Sequence, residues 1–485
     1  MVLDTFEHLS EQARLLDQLL ATAAELQLLV TSVQSLGLEE EWVVSVPGLS
    51  DPERSGDDAA LQLFAERARQ VDASFELSGR DTAQVAAICR LTGGNPLAIE
   101  LAAGWVTVMP VASIAAEVAR GLDILEAADR QAGARHAGGR HASIRTVFER
   151  SWTLLEENER GCLRRLTVFR GGFDLAAAKG VAGAGFKELA ALCRKSMVAK
   201  SLDGRFEIPE ILRTFVVEGM AGFEVQLRPI RARHAAQVLD TVLEASRHVN
   251  EAYGGASLER LDQDRANIAA AMTWALDERR YEMLADFVEA QANYWVRRGL
   301  LDLAGRWYTA LESLEVGVVE PRRLANVLRQ HAFVSFVRFD FDTPLELLQL
   351  SLELCRGAGD AEGEARTYAM LGIRAVYLCD YAAARARYLE ALGLGHEHGL
   401  DDVVARALNN LGDVHRFEGD FDRAWAYYEE SLALERDLGD LQMVSNVLGS
   451  LGVVRADTGP AGRRRGRPAR EPAPHRRPRH NLQPQ

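Results

Sequence analysis

The sequence predicts a mainly α-helical chain, with a short α/β stretch at its amino end and an α-solenoid over its carboxyl half. Three observations carry this. Apolar residues recur at helical spacing through most of the 485 residues. Strand-like apolar runs, Val2-Leu3 and Leu26 to Thr31, are confined to the first 50 residues or so, apart from one hairpin signal near Ser201. From about Arg228 the chain reads as helix almost without interruption, and a spacing of 40 residues recurs within it.

In chain order, Val2-Leu3-Asp4 reads as a strand ending in a carboxylate. A helix is expected from about Ser10, with Leu15, Leu16, Leu19 and Leu20 turned inward, followed by the apolar strand Leu26 to Thr31. Asp81 is placed to cap a helix carrying Val85, Ile88 and Leu91, which the left-handed turn Gly93-Gly94 ends. Asn95 then caps the next helix, with Pro96 at its first position and Leu97 and Leu101 on an inward face. Phe186 to Lys195 reads as a helix, followed by a hairpin between Met197-Val198-Ala199 and Arg205 to Ile208 across Ser201 to Gly204.

The ordered set carries a resemblance. The stretch GGNPLAIELAA resembles the "GLPL" segment of STAND-type ATPases, the NB-ARC class of signalling switches, in which the proline lies against the adenine of a bound nucleotide. Val2-Leu3-Asp4 resembles their Walker B strand, LLVTS their sensor strand, and Ser143 to Phe173 with Phe186 to Met220 their winged-helix domain. The resemblance implies a nucleotide-binding core over 1–50, a helical lid over 51–135 and a winged helix over 140–225. In intact relatives ATP, ADP and Mg²⁺ are the cofactors. Asp4, with Glu7, would be a vestigial Mg²⁺ and water-activating pair, and Asn95, Pro96 and Leu97 a vestigial cofactor contact.

The phosphate contacts are missing. A phosphate-cradling loop needs GxxxxGK[ST], and the only lysines here are Lys179, Lys187, Lys195 and Lys200, none in that pattern. Val33 stands where the resemblance implies an arginine, and Ile208-Pro209-Glu210 where it implies a histidine. Each charge-assisted contact contributes roughly 1.5–3 kcal/mol, so neither nucleotide nor metal is expected to bind. The reading is a truncated core without catalytic residues. GxSxG, HExxH and CxxC are absent as well.

In the carboxyl half, Leu371-Gly372, Leu411-Gly412 and Leu451-Gly452 align, as do Asp340-Phe341, Asp380-Tyr381 and Asp420-Phe421, and Tyr388 with Tyr428. Small residues at Gly372 and Gly412 let antiparallel helices approach, and the Asp-aromatic pairs mark the turns. This resembles tetratricopeptide repeats over 321–459, preceded by less regular helices over 228–320, including a pair from Asn293 to Leu314. Such a superhelix implies a protein or peptide partner. Tyr377, Tyr388, Trp425, Tyr427 and Tyr428 are assigned to its core rather than to ligand contact. The helix Val444 to Ala456 is expected to leave Val447, Leu451 and Val454 uncovered.

Residues 460–485 hold eight arginines, one glutamate and six prolines, and are expected to be disordered. Out-of-frame translation is preferred over a nucleic-acid-binding tail. This segment carries about +7 of a net charge of −14, leaving about −21 on the rest, which disfavours non-specific nucleic-acid binding. For the winged helix, packing on the nucleotide module is preferred over DNA reading, because Lys187, Arg194 and Lys195 stand beside Glu188. Five scattered cysteines and the lack of a signal or membrane-span pattern point to a reduced, cytoplasmic protein. His396-Glu397-His398 sits in a solvated repeat loop rather than a metal site. The function expected is that of a regulator fragment with a protein-interaction superhelix. The alternative is a functional ATP/ADP-binding transcriptional regulator that contacts DNA through its winged helix or an associated effector domain.

Overall fold

The computed structural model describes residues 1–4, 6, 9, 12–23, 25–38, 40–44, 46–49, 58–121, 125, 144–201, 203–220, 222–249, 255–314 and 317–458. Glu7 and the tail 460–485 lie outside them. The chain is mainly α-helical, and it divides into two compact units, Met1–Ala245 with Gly255–Trp274, and Ser246–Gly254 with Ala275–Gln485. Residues 228–320 contribute to both.

The first unit opens with β1 (Val2–Leu3), α1 (Arg14–Thr22) and β2 (Leu29–Val30). The two strands pair in parallel, Val2 opposite Leu29 and Leu3 opposite Val30. Leu16 is buried, but Leu15 and Leu19 are 55% and 44% exposed, against expectation. The reason is the narrowness of the pair. Leu3, Leu28 and Val30 offer one small apolar patch, which Phe6, Ala13 and Leu16 cover, so only one line of α1 finds a partner.

Four helices follow, α2 (Ala59–Val71), α3 (Gly79–Leu91), α4 (Pro96–Ala103) and α5 (Val111–Arg120). They close on a common core that includes Phe64, Val85, Ile88, Ile99 and Ile114, each wholly buried. Burying a side chain of this size contributes roughly 1.5–3 kcal/mol. A second core joins α6 (Ile144–Thr153), α7 (Glu157–Leu166), α8 (Leu175–Ala177, continued by a π turn over Ala178–Ala182) and α9 (Phe186–Arg194) to β3 (Ala199–Lys200), β4 (Phe206–Glu207) and α10 (Glu210–Glu218). The strands form the expected antiparallel hairpin, Ala199 opposite Glu207 and Lys200 opposite Phe206. Ile211 of α10 and Ile144 of α6 sit in the first core, so the two helical clusters share a wall. The helices α11 (Glu224–His248), α12 (Gly255–Gln263) and α13 (Arg265–Asp277) follow.

The second unit is a stack of antiparallel helices: α14 (Tyr281–Arg298), α15 (Leu301–Glu312), α16 (Pro321–Val337), α17 (Thr343–Ala358), α18 (Ala361–Tyr377), α19 (Tyr381–His398), α20 (Asp401–Glu418), α21 (Phe421–Leu438) and α22 (Leu441–Thr458). The period of 40 residues proves to be two half-turns of 20. Residues 339, 359, 379, 399, 419 and 439 all adopt left-handed φ, from 59° to 83°. At all but 399 the next residue is an aspartate, and Asp360, Asp380, Asp420 and Asp440 each accept a hydrogen bond from the amide three residues on, at 2.9–3.2 Å. A left-handed residue ends one helix and, except at Leu400, an aspartate follows to cap the next, which keeps these links short.

Tyr388 and Tyr428 are buried, as their assignment to the core implied, and they lie against Gly372 and Gly412. Tyr377 is not core. It is 50% exposed, at the end of α18, with one face on Phe341 at 5.1 Å. Trp425 and Tyr427 are half-buried. The expectation for the last helix is reversed: Val447, Leu451 and Val454 pack on Ala424, Tyr428 and Leu432 of α21. These positions share a register with Ala407, Leu411 and Val414, which are buried one repeat earlier, so this stripe is the inward one. The exposed apolar residues of α22 are Leu441, Leu448 and Val453.

Candidate functional site

Two places gather the residues of interest, one in each unit. The first is the turn Gly93-Gly94-Asn95-Pro96. Gly93 and Gly94 have φ of 61° and 68°, and Asn95 accepts from the amide of Ala98 at 3.1 Å, so turn and cap form as the residue types require. Two details differ. The cap of α3 is Ser78, not Asp81: its hydroxyl donates to the Asp81 carboxylate at 2.6 Å and accepts from the Asp81 amide at 3.4 Å. The inner face of α4 is Ala98, Ile99, Ala102 and Ala103, with Leu97 and Leu101 half-buried at its sides. Small alanines let this helix sit close to its neighbours, which displaces the bulkier leucines from the centre.

Around this turn the chain folds back on itself. The Leu49 amide donates to the Gly94 carbonyl at 2.8 Å, and a Cβ on Gly94 would stand 2.8 Å from that Leu49 nitrogen, so glycine is required twice over. Pro209, the residue before α10, lies near Gly93, with 3.9 Å between its Cβ and the place a Gly93 Cβ would take. Pro96 is exposed. The structure thus brings Gly93 to Leu97 and Pro209 into one neighbourhood, together with Leu49, which sequence reasoning did not single out. Asp4 stands at the end of β1, where the Thr31 hydroxyl donates to its carboxylate. The Val33 carbonyl accepts from the Ser196 hydroxyl at 2.8 Å, and the Ser35 amide donates to the Arg194 carbonyl at 3.3 Å, so the end of α9 rests on residues 33–35. Lys195 is tied down as well, donating to Glu159 at 2.7 Å and to the Leu154 carbonyl at 2.9 Å.

A buried polar network lies behind the hairpin. Arg205 pairs with Asp264 at 2.5 Å, and Asn267 accepts from the Arg170 amide at 2.8 Å and faces His234 at 3.4 Å. Burial pushes the His234 imidazole down to about 4, so it is neutral near pH 7.

The second place is a groove of about 440 Å³ along the repeats, lined from α14 to α22 mainly by the first helix of each pair. Its walls follow the 40-residue register: Asn326, Arg366 and Arg406 form one column, and Gln330, Met370 and Asn410 another. Arg366 is paired with Asp402 at 2.7 Å and Glu362 at 2.8 Å, and Arg406 lies 3.8 Å from Asp440. Arg329, partly buried in the same wall, is held by neutral groups: Ser351, Thr367 and the Gly363 carbonyl at 3.3–3.4 Å, with Asn326 at 3.3 Å and the Cys355 sulfur at 3.5 Å. The groove had no signal in the sequence beyond the repeat itself, because residues that line it are 40 apart and only their common face unites them.

His396 and His398 are exposed on the last turn of α19, and among the described residues no group of three or more His, Cys, Asp or Glu could hold a metal. Cys89, Cys162 and Cys355 are buried, as small apolar residues would be, whereas Cys379 is exposed. No described helix is long and apolar enough to cross a membrane.

No protein-family profile matches the chain. Over 465 residues, 91% of the chain, it is 29% identical to proteins of Mycobacterium tuberculosis and Mycobacterium bovis, each named provisionally as an HTH-type transcriptional regulator. The alignment covers 50% of those proteins, so the chain spans about half the length of these relatives. Uncharacterized proteins of the same two species are 34% identical over 231 residues, 46% of the chain and 53% of their own length. Among solved structures, a STAND protein with a tetratricopeptide repeat sensor from Pyrococcus horikoshii is 16% identical and overlaps 94% of the chain and 72% of its own, at a TM-score of 0.32. BtubC from P. vanneervenii is 22% identical over 42% of the chain and 85% of its own, at a TM-score of 0.35. Overlaps this loose carry no weight for function.

Proposed function

We propose that this chain is the sensing part of a STAND-type signal-transduction regulator, in which the helical repeats capture a protein or peptide and the nucleotide-binding core no longer holds nucleotide. The observation that carries it is the groove. Side chains from successive first helices, in one register, line a continuous cleft of about 440 Å³, a size and placement suited to an extended peptide. The kinship with proteins named as transcriptional regulators supports a regulatory role. Pro209 and Val33, which offer no cation where the resemblance implies one, support the loss of nucleotide binding.

In this reading the hairpin domain packs on its own chain. Ile211 and Ile144 belong to the core of α2 to α5, and Lys195 is committed to Glu159 rather than to a phosphate. The same domain could meet DNA only with its remaining basic residues, Lys187 and Lys200 among them, and an electrophoretic mobility assay with duplex DNA at low salt decides that second reading.

The test of the first uses the full chain, immobilised, and an unbiased pool of random nonapeptides. Retention is expected, and Met370→Arg in the groove is expected to abolish it while Leu448→Arg on the exposed face of α22 leaves it intact. Equal retention by all three proteins would overturn the proposal.

A further inference from the structure

We infer that the groove selects peptides bearing an acidic side chain, and that Arg329 is the residue that receives the carboxylate; this rests on the peptide-binding reading above. Arg329 lines the groove with its charge partly removed from water, yet every hydrogen bond it makes goes to a neutral hydroxyl, amide, carbonyl or thiol. Burial lowers the pKa of its guanidinium, with Arg366 adding to the effect and Cys355 and Asp360 opposing it, and no carboxylate among the described residues forms a direct ion pair with it. The neighbouring guanidiniums of Arg366 and Arg406 already face Asp402 and Asp440, so Arg329 stands apart from them. A carboxylate arriving beside it would form a charge-assisted pair in a partly desolvated site, where such pairs are strongest.

Two further groups in the same wall point to a bound main chain. The Tyr308 hydroxyl and the Gln330 side-chain oxygen are buried without a hydrogen-bond partner, and Tyr308 is wholly buried. Burial pushes the Tyr308 phenol well up, so it remains a donor, while Gln330 offers an acceptor. A buried donor and a buried acceptor without partners in one wall match the carbonyl and amide of an extended backbone that reaches them as the side chains over them move aside. Apolar Ile373 and Met370 lie farther along the cleft. The occupant is therefore a short extended peptide with a Glu or Asp side chain placed at Arg329 and small or apolar residues beyond it.

The test compares two synthetic nonapeptide pools, Ala-X-X-X-Glu-X-X-X-Ala and the same pool with Gln in place of Glu, X being a mixture of uncharged residues, each labelled with fluorescein and titrated with the full chain. Fluorescence anisotropy is expected to show the Glu pool bound about tenfold more tightly, and Arg329→Gln is expected to erase the difference. Should that variant lose its helical circular dichroism, Tyr308→Phe serves instead. It removes a hydroxyl without a partner, so the fold stands and binding of the Glu pool is expected to weaken several-fold. Equal binding of both pools, a preference that survives Arg329→Gln, or a Tyr308→Phe variant that binds as the parent does would overturn the inference while leaving peptide capture in place. Absence of binding to either pool would overturn both.

Discussion

The ring of Tyr428 lies so close to Gly412 that a Cβ on that glycine would fall 2.6 Å from the ring's Cε1. Tyr388 stands in the same relation to Gly372 one repeat earlier. The tyrosine fills the space that the glycine vacates, and its hydroxyl donates to Asp413 at 2.7 Å, which fixes the ring. Gly412→Ala is expected to destabilise the repeats by about 1–3 kcal/mol through overpacking. Gly393→Ala, in the middle of α19 with nothing within 4 Å of its Cβ, is expected to stabilise them by roughly 0.5–1 kcal/mol. Urea unfolding followed by far-ultraviolet circular dichroism checks both, and opposite signs are the expected outcome.

The left-handed position 339 is filled by phenylalanine, whose φ is 60° and whose side chain is 79% exposed. An L-residue in this conformation costs about 1–2 kcal/mol, and the exposed ring returns little packing. Phe339→Gly is therefore expected to raise stability by about 1 kcal/mol in the same titration. Gly419→Ala, at the equivalent place two repeats later, where φ is 83°, is expected to lower it by a similar amount.

His234 makes the first unit sensitive to acid. Its pKa is about 4 in the folded chain against 6.5 ordinarily, so between those values the unfolded chain binds the proton and the folded chain does not. Stability contributed by this group is intact above about pH 6.5 and is lost as pH falls toward 4, by about 3 kcal/mol in all. His234→Gln is expected to flatten that slope between pH 7 and 5, as read from urea midpoints at each pH.

The β1–β2 pair rests on a small cluster around Leu16, and Leu15 and Leu19 of the intervening helix are exposed. Amides of residues 1–31 are expected to exchange with deuterium well before those of α18 to α21. Equal protection, measured by mass spectrometry, would show that this segment is held by more than its own small core.

Much of this architecture was legible in the sequence where local chemistry decides it. Asn95 and Pro96 had to start a helix, Gly93 and Gly94 had to end one, and Gly372 and Gly412 had to mark close helix approach once the register was seen, although that Tyr388 and Tyr428 fill the space beside them was not read. The failures share a cause. Which face of α1, α4 or α22 turns inward depends on what stands opposite it, and periodicity does not name the opposite partner. Leu15, Leu97 and Val447 were misplaced for that reason. Ser78 was overlooked because serine and aspartate three residues apart can each be read as the cap. The unpaired state of Arg329 was invisible, since it depends on which carboxylates the fold places elsewhere.

The central claim, that the repeats act here without a nucleotide switch, is tested most directly by isothermal titration of the full chain with ADP, and with ATP, in the presence of Mg²⁺. The account predicts no heat of binding for either nucleotide at concentrations up to the millimolar range. Saturable binding with micromolar affinity would contradict it, and would mean that the neighbourhood of Gly93, Asn95 and Pro209 holds a nucleotide without the phosphate contacts that the resemblance implies.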